Sequence, residues 1–449
     1  MVALGKHAVV LGASMAGLMT ARVLADRYER VTVIERDVLP APGETRRGVP
    51  QARHAHALLA RGGQAIGELF PGVLEALVAE GVPVTFEPAQ FRLTFGGHLM
   101  AQHGEPWPEP TYQVSRALLE GRLLERLRGL PGVEVREGYD VVGLTGDRAA
   151  DRVTGARIQH RRIEASEEYL EADLTVAATG RSGRLALWLT EMGYEPPAEE
   201  QLKIDLMYVS CLLRMPSNAL GTVRVLLSGP VPDRPTGLAI LEQENDTWIL
   251  TASGYADHHP PTQWPALLAF LRMQTTEPVV AALESAQRLT QLQTYHYPAN
   301  LRRRYDWVKR FPNGLLVVGD AVCSFNPLYG QGMTVAALEA LVLQKCLVSG
   351  TDGLARRFFR EAAKPSGVAW QLATGGDLAL PSVPGHRPLL VRVLNRYVDR
   401  VQTVAEHDPA VATTFLRVTS LLDSPSRLLA PATVARVVGS RRRTRQPAS

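Results

Sequence analysis

Hydrophobic positions along the chain fall into two periods, and the first fifty residues show both. His7–Leu11 is a short, mostly apolar run of the length of a buried parallel strand. A glycine-bearing turn follows at Gly12–Leu18, and apolar residues then recur at helical spacing to about Tyr28. A second β-branched run, Val31–Ile34, stops at Glu35. The order is strand, tight turn, helix, strand.

Further along, Ser115 stands where a helix cap would, ahead of a helical run starting at Arg116. The stretch Asp173–Arg184 begins with a third strand-like run leading to Gly180, and Leu315–Val318 is a fourth. Between about Pro196 and Asn300 the period shortens to two, with turn residues between runs, as in an antiparallel sheet with one covered face. A helix is expected after His258–His259, through the run Trp264–Gln274. A long helix of small and apolar residues is expected from about Met333. From about Thr351 the pattern is helical, broken at Leu380–Pro388, His407–Ala410 and Leu428–Pro431. The pattern predicts an α/β protein, α+β overall, with a Rossmann-like part, an antiparallel sheet and a helical C-terminal region.

The first turn carries chemistry. Gly12, Ser14 and Gly17, with Ala13, Met15 and Ala16 between them, match G-x-G-x-x-G except for the small Ser14 at the middle position. Gly12 permits the sharp turn, Gly17 permits close packing of helix on strand, and the helix N-terminus attracts a pyrophosphate. Glu35, followed by Arg36, ends the second strand where a carboxylate can accept hydrogen bonds from an adenosine ribose. A dinucleotide is implied, but this stretch alone leaves FAD and NAD open; the competing reading is a strand–helix turn in another α/β protein.

The downstream stretch Leu315–Leu343 narrows this. Its strand ends in Gly319-Asp320, and an Asp there can accept hydrogen bonds from ribityl hydroxyls. The loop that follows, with Pro327, Gly330, Gln331, Gly332 and Met333, brings backbone N–H groups to a helix start. Together, the glycine turn, Glu35 and this second motif resemble the FAD-dependent monooxygenases of the p-hydroxybenzoate-hydroxylase fold, over nearly the whole chain. The stretches RGVPQARHAHALL from Arg47, FNPLYGQGM from Phe325 and GHRPLL from Gly385 are similar to bacterial flavin epoxidases of polyketide-polyether biosynthesis.

The resemblance implies a discontinuous FAD-binding domain at 1–80, 111–195 and 301–350. It implies a substrate domain at 81–110 and 196–300, and a helical region at 351–449. It puts Arg47 and Gln51 at the flavin, Arg116 on the phosphate–ribityl side, and Val142 among the cofactor contacts. The chemistry implied is transfer of one oxygen from O2, through a flavin hydroperoxide, to a lipophilic substrate. Alkene epoxidation in secondary metabolism comes first, and hydroxylation second. Electrons would come from NAD(P)H or a separate flavin or ferredoxin reductase. Ala177 stands where relatives carry an Asp tied to pyridine-nucleotide handling, which speaks against a standard NAD(P)H site.

His54 and His56 lie beside Arg46, Arg47 and Arg53. A metal would need further ligands, and no Cys or Glu partner stands at ligand spacing, so none is expected. One of the two is expected on the flavin side; the other readings are positioning of substrate and capping of the helix that starts here. No nucleophilic triad or carboxylate dyad is present, and the catalytic candidates are His54, His56 and Pro327, with Tyr295 as a further possible base for a phenol. Halogenation is disfavoured, because the Trp-x-Trp-x-Ile-Pro segment of such relatives is missing. Two alternatives stand beside oxygenation: a flavin reductase or dehydrogenase of an isoprenoid-like substrate, and a redox-inactive FAD-binding protein.

Composition changes little. The 449 residues are 45% hydrophobic and 21% charged with net charge +4, so no nucleic-acid partner is expected. Three scattered cysteines give no disulfide framework. No apolar run reads as a transmembrane span, and the first one reads as strand and helix rather than as a leader. The cytoplasm is the expected compartment, and the basic run near the end is read as a solvated tail rather than a membrane contact.

Overall fold

A computed structural model describes residues 3–46, 48–147, 149–161, 166–216 and 218–443. Five parallel strands form the first sheet, in the order Leu315–Val317, Leu174–Ala177, Gly5–Leu11, Tyr28–Glu35, Val133–Glu137. Gly5–Leu11 is central, with Val9 opposite both Thr32 and Thr175. Its residues feed two cores in alternation. Ala8 and Val10 pack toward the helices Met15–Ala25 and Gly332–Leu347, while Val9 and Leu11 meet Ala156 and Ile158 of a three-stranded antiparallel sheet. A continuous apolar run is what a strand covered on both faces requires.

The second large sheet has nine strands. Its main path runs Cys323–Ser324, Gln293–Arg303, Glu199–Arg214, Thr247–Tyr255, Thr236–Gln243, Val225–Ser228, Phe91–Phe95, His98–Leu99. Pairing is antiparallel except between Val225–Ser228 and Phe91–Phe95, which run parallel. The expectation of one covered face fails at the centre of this sheet. Val209, Cys211 and Leu213 pack on the helices Trp264–Arg272 and Glu277–Ser285, and Phe91, Val225 and Ile249 pack on the helices that follow Leu389. Both faces are buried there, so the alternation seen in sequence marks which core each residue joins.

After Leu354 the chain is helical, and the predicted breaks fall between Leu354–Asp377, Leu389–Ala405, Pro409–Thr419 and Pro431–Arg443. Phe358 and Phe359 enter the core around the parallel sheet, whereas Val401 and Phe415 enter that of the large sheet. No helix among the described residues is long and apolar enough to cross a membrane. The three cysteines are buried and unpaired.

Candidate functional site

The C-terminal ends of the central parallel strands lie across from the large sheet, which His54 and Arg181 reach through Ser210 and Ala299. The space between, onto which Gly332 opens, is the candidate cleft. At its floor, Gly12 has φ +111°, and a Cβ there would stand 2.4 Å from the Ala178 carbonyl oxygen. A Cβ on Gly17 would meet the Gly12 carbonyl oxygen at 1.8 Å, so the helix can sit this close to the strand only with glycine there. Ser14 is the N-cap residue of Met15–Ala25, but its hydroxyl makes no capping bond. Arg116 Nη2 donates to it instead, at 2.9 Å. Met15 is buried, and Ala16 packs against Gly319, which has φ +66°.

Glu35 ends its strand as expected, with its carboxylate engaged by protein. Oε2 accepts from the Ala13 N–H at 2.9 Å and pairs with Arg46 at 2.7 Å, and Oε1 accepts from the Asp37 N–H. Arg46 also pairs with Glu120 at 2.6 Å, so its charge is balanced by the buried Glu35 and the half-buried Glu120. Arg36 is exposed. Val142 is the extra residue where the register of Tyr139–Asp147 shifts between Val141 and Gly143. The bulge leaves it out of the ladder. Arg47 lies outside the described residues.

Asp320 caps the opposite wall. Its side chain opens into the cleft and finds no hydrogen-bond partner among the described residues, while the fold encloses it. That enclosure raises its carboxyl above the usual range, against the opposing charges of Arg116 and Arg181. Arg181 was not anticipated from sequence. It donates to the Ala299 carbonyl and lies over the Tyr297 ring at 5.0 Å. Beneath Asp320, Glu339 is fully buried and accepts from the Gly319 N–H at 2.7 Å. Burial pushes its carboxyl up to about 8.

The loop before Gly332–Leu347 is a short 3-10 turn, Pro327–Tyr329, ended by Gly330 at φ +65°. Gln331 is buried with an unpartnered Oε1, Met333 is buried, and a Cβ on Gly332 would meet nothing within 4 Å. The helix N-terminus therefore faces open space. Asn326 anchors this loop. Its Oδ1 accepts from the Leu328 N–H at 3.0 Å and the Tyr208 hydroxyl at 3.1 Å. Its Nδ2 donates to Asp377 at 2.8 Å and to the Tyr255 hydroxyl at 2.7 Å.

Asp377, the last residue of Leu354–Asp377, also accepts from Asn300 at 2.6 Å, from Tyr255 at 3.0 Å and from Tyr329 at 3.3 Å. Burial raises its carboxyl to about 6, and these four donors hold it down. A carboxylate at a helix C-terminus opposes the helix dipole. That misfit was the one trace of Asp377 in the sequence.

The stretch that carries the two histidines crosses the cleft. Its 3-10 turn, Pro50–Arg53, includes the half-buried Gln51, whose side chain has no hydrogen-bond partner among the described residues, and Arg53 reaches Gln293 at 3.2 Å. The following helix starts only at Ala60, capped by Leu59, so neither histidine caps it. They point to different walls. His56 lies on the floor side, its Nδ1 2.9 Å from the His54 carbonyl oxygen and its Nε2 3.4 Å from Arg116 Nη1. His54 lies under the roof, its Nδ1 2.7 Å from the Ser210 hydroxyl and its ring between Tyr208 and Tyr295. Burial lowers both, to about 4 for His54 and about 3 for His56, and the cations Arg53 and Arg116 add to this. Both rings are neutral at pH 7. Tyr295 has its hydroxyl raised by burial and by Asp320.

The site has the features a flavin dinucleotide needs: a glycine turn at a helix N-terminus, a free carboxylate in the cleft, and a second helix start facing open space. Ala177 is fully buried in apolar core, so its methyl faces away from any ligand.

Comparison with known proteins agrees with this fit. The family described as FAD binding domain matches residues 6–359. Protein Rv3254 of Mycobacterium tuberculosis is 38% identical over 428 residues, 93% of this chain and 90% of that protein. Kynurenine 3-monooxygenase of Salinispora tropica is 25% identical over 366 residues, 80% of this chain and 76% of that enzyme. The structure of a p-nitrophenol 4-monooxygenase from Pseudomonas putida superposes with a TM-score of 0.64 at 17% identity, covering 93% of this chain and 98% of that one. At that identity the likeness speaks for the fold alone.

Proposed function

The chain belongs to the FAD-binding-domain family, and from that premise we propose an FAD-dependent monooxygenase that places one oxygen atom of O2 on a lipophilic substrate, with alkene epoxidation in secondary metabolism ahead of hydroxylation. FAD, when bound, supplies the redox and oxygen chemistry. The protein's part is to hold, orient and keep dry. Ser14, Arg116 and Asp320 would hold the phosphate and ribityl portions, and the residues from Pro327 to Met333 would face the ring system. Tyr208, Tyr295 and His54 would line the substrate side.

The observation that favours epoxidation over hydroxylation of a phenol is the state of the two histidines. Both are neutral and engaged by protein at Nδ1. Their lowered basicity makes both rings weak acceptors of a phenol proton, and an alkene requires none to be taken. Burial, with Arg53 and Arg116 adding to it, disfavours a positive charge on either ring. NAD(P)H, or a separate flavin or ferredoxin reductase, would supply electrons.

The test is isotopic. Under ¹⁸O2, with dithionite-reduced or reductase-supplied flavin and a lipophilic alkene, the product should gain one labelled oxygen as an epoxide. Saturated, unlabelled product formed without O2 would replace this reading with a reductase. A purified protein showing no flavin absorbance after loading with FAD would remove both.

A further inference from the structure

We infer that His54 and His56 are locked in opposite tautomers, and that His54 presents an Nε2–H donor to the cleft that reads an acceptor oxygen on the substrate. The preferred class is then a lipophilic molecule carrying a carbonyl or ether oxygen near the position to be oxidised. The substrate half of this inference rests on the monooxygenase reading; the tautomers do not.

The tautomer of His54 follows from the protons of one hydrogen-bond chain. The Ala55 N–H can only donate, and it donates to Thr251 Oγ1 at 2.8 Å. Thr251 must then place its own hydroxyl proton, and its remaining partner is Ser210 Oγ at 2.6 Å. Ser210, having accepted, passes its proton to His54 Nδ1 at 2.7 Å. If the Thr251–Ser210 bond were reversed, Thr251 would accept twice and strand its proton. If Ser210 accepted from His54 as well as from Thr251, its own proton would be stranded, although both residues are buried. The chain therefore runs one way and makes His54 Nδ1 an acceptor. A neutral ring then carries its proton on Nε2.

Among the described residues that nitrogen has no hydrogen-bond partner, and it is not among the polar atoms sealed from solvent. Tyr208 and Tyr295 flank the ring at 5.9 and 5.6 Å between centroids, which fixes its plane. The donor is thus held by packing on its sides and by a hydroxyl relay behind. His56 has the opposite arrangement. A carbonyl oxygen can only accept, so the contact to the His54 carbonyl puts the His56 proton on Nδ1. Its Nε2 is left as the acceptor that Arg116 approaches. One histidine gives a donor to the roof side, and the other gives an acceptor to the arginine on the floor.

The experiment has two arms, both on FAD-loaded, full-length protein. The first is two-bond ¹H–¹⁵N spectroscopy of histidine-labelled protein at pH 7. His54 should show a protonated Nε2 and His56 a protonated Nδ1. Ser210→Ala should disturb the His54 pattern and leave that of His56. A protonated Nδ1 on His54, or a doubly protonated ring on either residue, would overturn the assignment.

The second arm compares 2-acetylnaphthalene with 2-ethylnaphthalene, a probe pair of similar shape in which only the ketone accepts a hydrogen bond. Binding is followed by perturbation of the flavin absorbance. The ketone should bind roughly 10-fold tighter to the native protein. The preference should collapse in His54→Phe and return in part in His54→Gln, which restores a donor at similar reach. Flavin content and melting temperature establish that each variant is folded. Equal affinities in the native protein, or no binding of either probe, would overturn the substrate class. Because the first arm needs no turnover, a failed ¹⁸O2 experiment and a failed tautomer assignment are separate results.

Discussion

Asp320 is the residue whose surroundings ask most plainly for a ligand. It is enclosed by the fold, open to the cleft, free of hydrogen-bond partners among the described residues, and within the fields of Arg116 and Arg181. A carboxylate so placed gains its missing hydrogen bonds from hydroxyls on whatever fills the cleft. Each such charge-assisted bond contributes about 1.5–3 kcal/mol. Asp320→Ala should therefore weaken FAD binding by roughly 10- to 100-fold, measured by equilibrium dialysis of the released flavin. Its own melting temperature without FAD should hardly change, because the carboxylate supports no protein contact. Full FAD occupancy at stoichiometric loading in a folded Asp320→Ala protein would remove it from the cofactor site. Glu35 differs in this respect. Its oxygens already serve Ala13, Asp37 and Arg46, so replacing it would damage the apoprotein as well, and FAD loss there would be harder to interpret.

At the scale of elements, two buried acids hold the loops around that residue. Asp377 ties the end of a C-terminal helix to Asn300, Asn326, Tyr255 and Tyr329. Glu339, on the helix Gly332–Leu347, holds the Gly319 N–H. The two differ in how well they are satisfied. Asp377 has four donors, whereas Glu339 has one and leaves Oε1 without a partner. Desolvation therefore wins at Glu339 and pushes its carboxyl up to about 8.

The sign follows from proton counting. Between the unfolded carboxyl pKa, about 4.3, and about 8, the folded protein binds more protons at this site than the unfolded chain, so stability falls as pH rises through that window. Glu339→Gln keeps an acceptor for Gly319 and has no proton to lose. The variant should gain on the native protein as pH rises, its advantage at pH 9 exceeding that at pH 6 by on the order of 2–3 kcal/mol. Urea midpoints at the two pH values check this, and parallel pH profiles for the two proteins would show that Glu339 ionises normally.

The same elements show what a sequence can convey. The strand–turn–helix–strand unit was legible because every signal in it is local: an apolar run, glycines at fixed offsets, and an acid at a strand end. The helix cap at Ser115, which accepts from the Leu118 N–H at 3.1 Å, was legible for the same reason. Asp377 and Tyr255 are 122 positions apart, and His54 and Ser210 are 156 apart. Nothing in the spacing of either pair marks it, because the contact exists only once the large sheet closes over the cleft. Arg181 escaped notice because it sits in a polar loop where an arginine is ordinarily solvated. The antiparallel region was read as having one covered face, since alternation looks the same whether the second face meets water or a second core.

For the whole molecule the question is whether the C-terminal helices are an appendage or part of the enzyme's frame. Phe358 and Phe359 are buried in the core around the parallel sheet. Val401, Ala405, Val411, Phe415 and Val418 complete a core with Phe91, Leu93, Val225, Leu241 and Ile249 of the large sheet. Leu380 and Val383 pack on Leu206, Tyr208 and Tyr255 beside the cleft. Burial of each large aliphatic or aromatic side chain contributes about 1.5–3 kcal/mol, and a domain's whole stability is only about 5–15 kcal/mol. Losing these helices would strip both the large sheet and the cleft wall of more than that margin, and would leave Asn300 and Asn326 without the Asp377 carboxylate. A chain ending at Gly350 should therefore fail to accumulate as a soluble, FAD-binding protein, although it keeps the glycine turn, Glu35 and Asp320. Expression of that truncation, with size-exclusion chromatography and flavin absorbance of the soluble fraction, decides the matter. A monomeric truncation that binds FAD with native affinity would show that the cofactor half folds alone and that the helices after Gly350 serve the substrate side only.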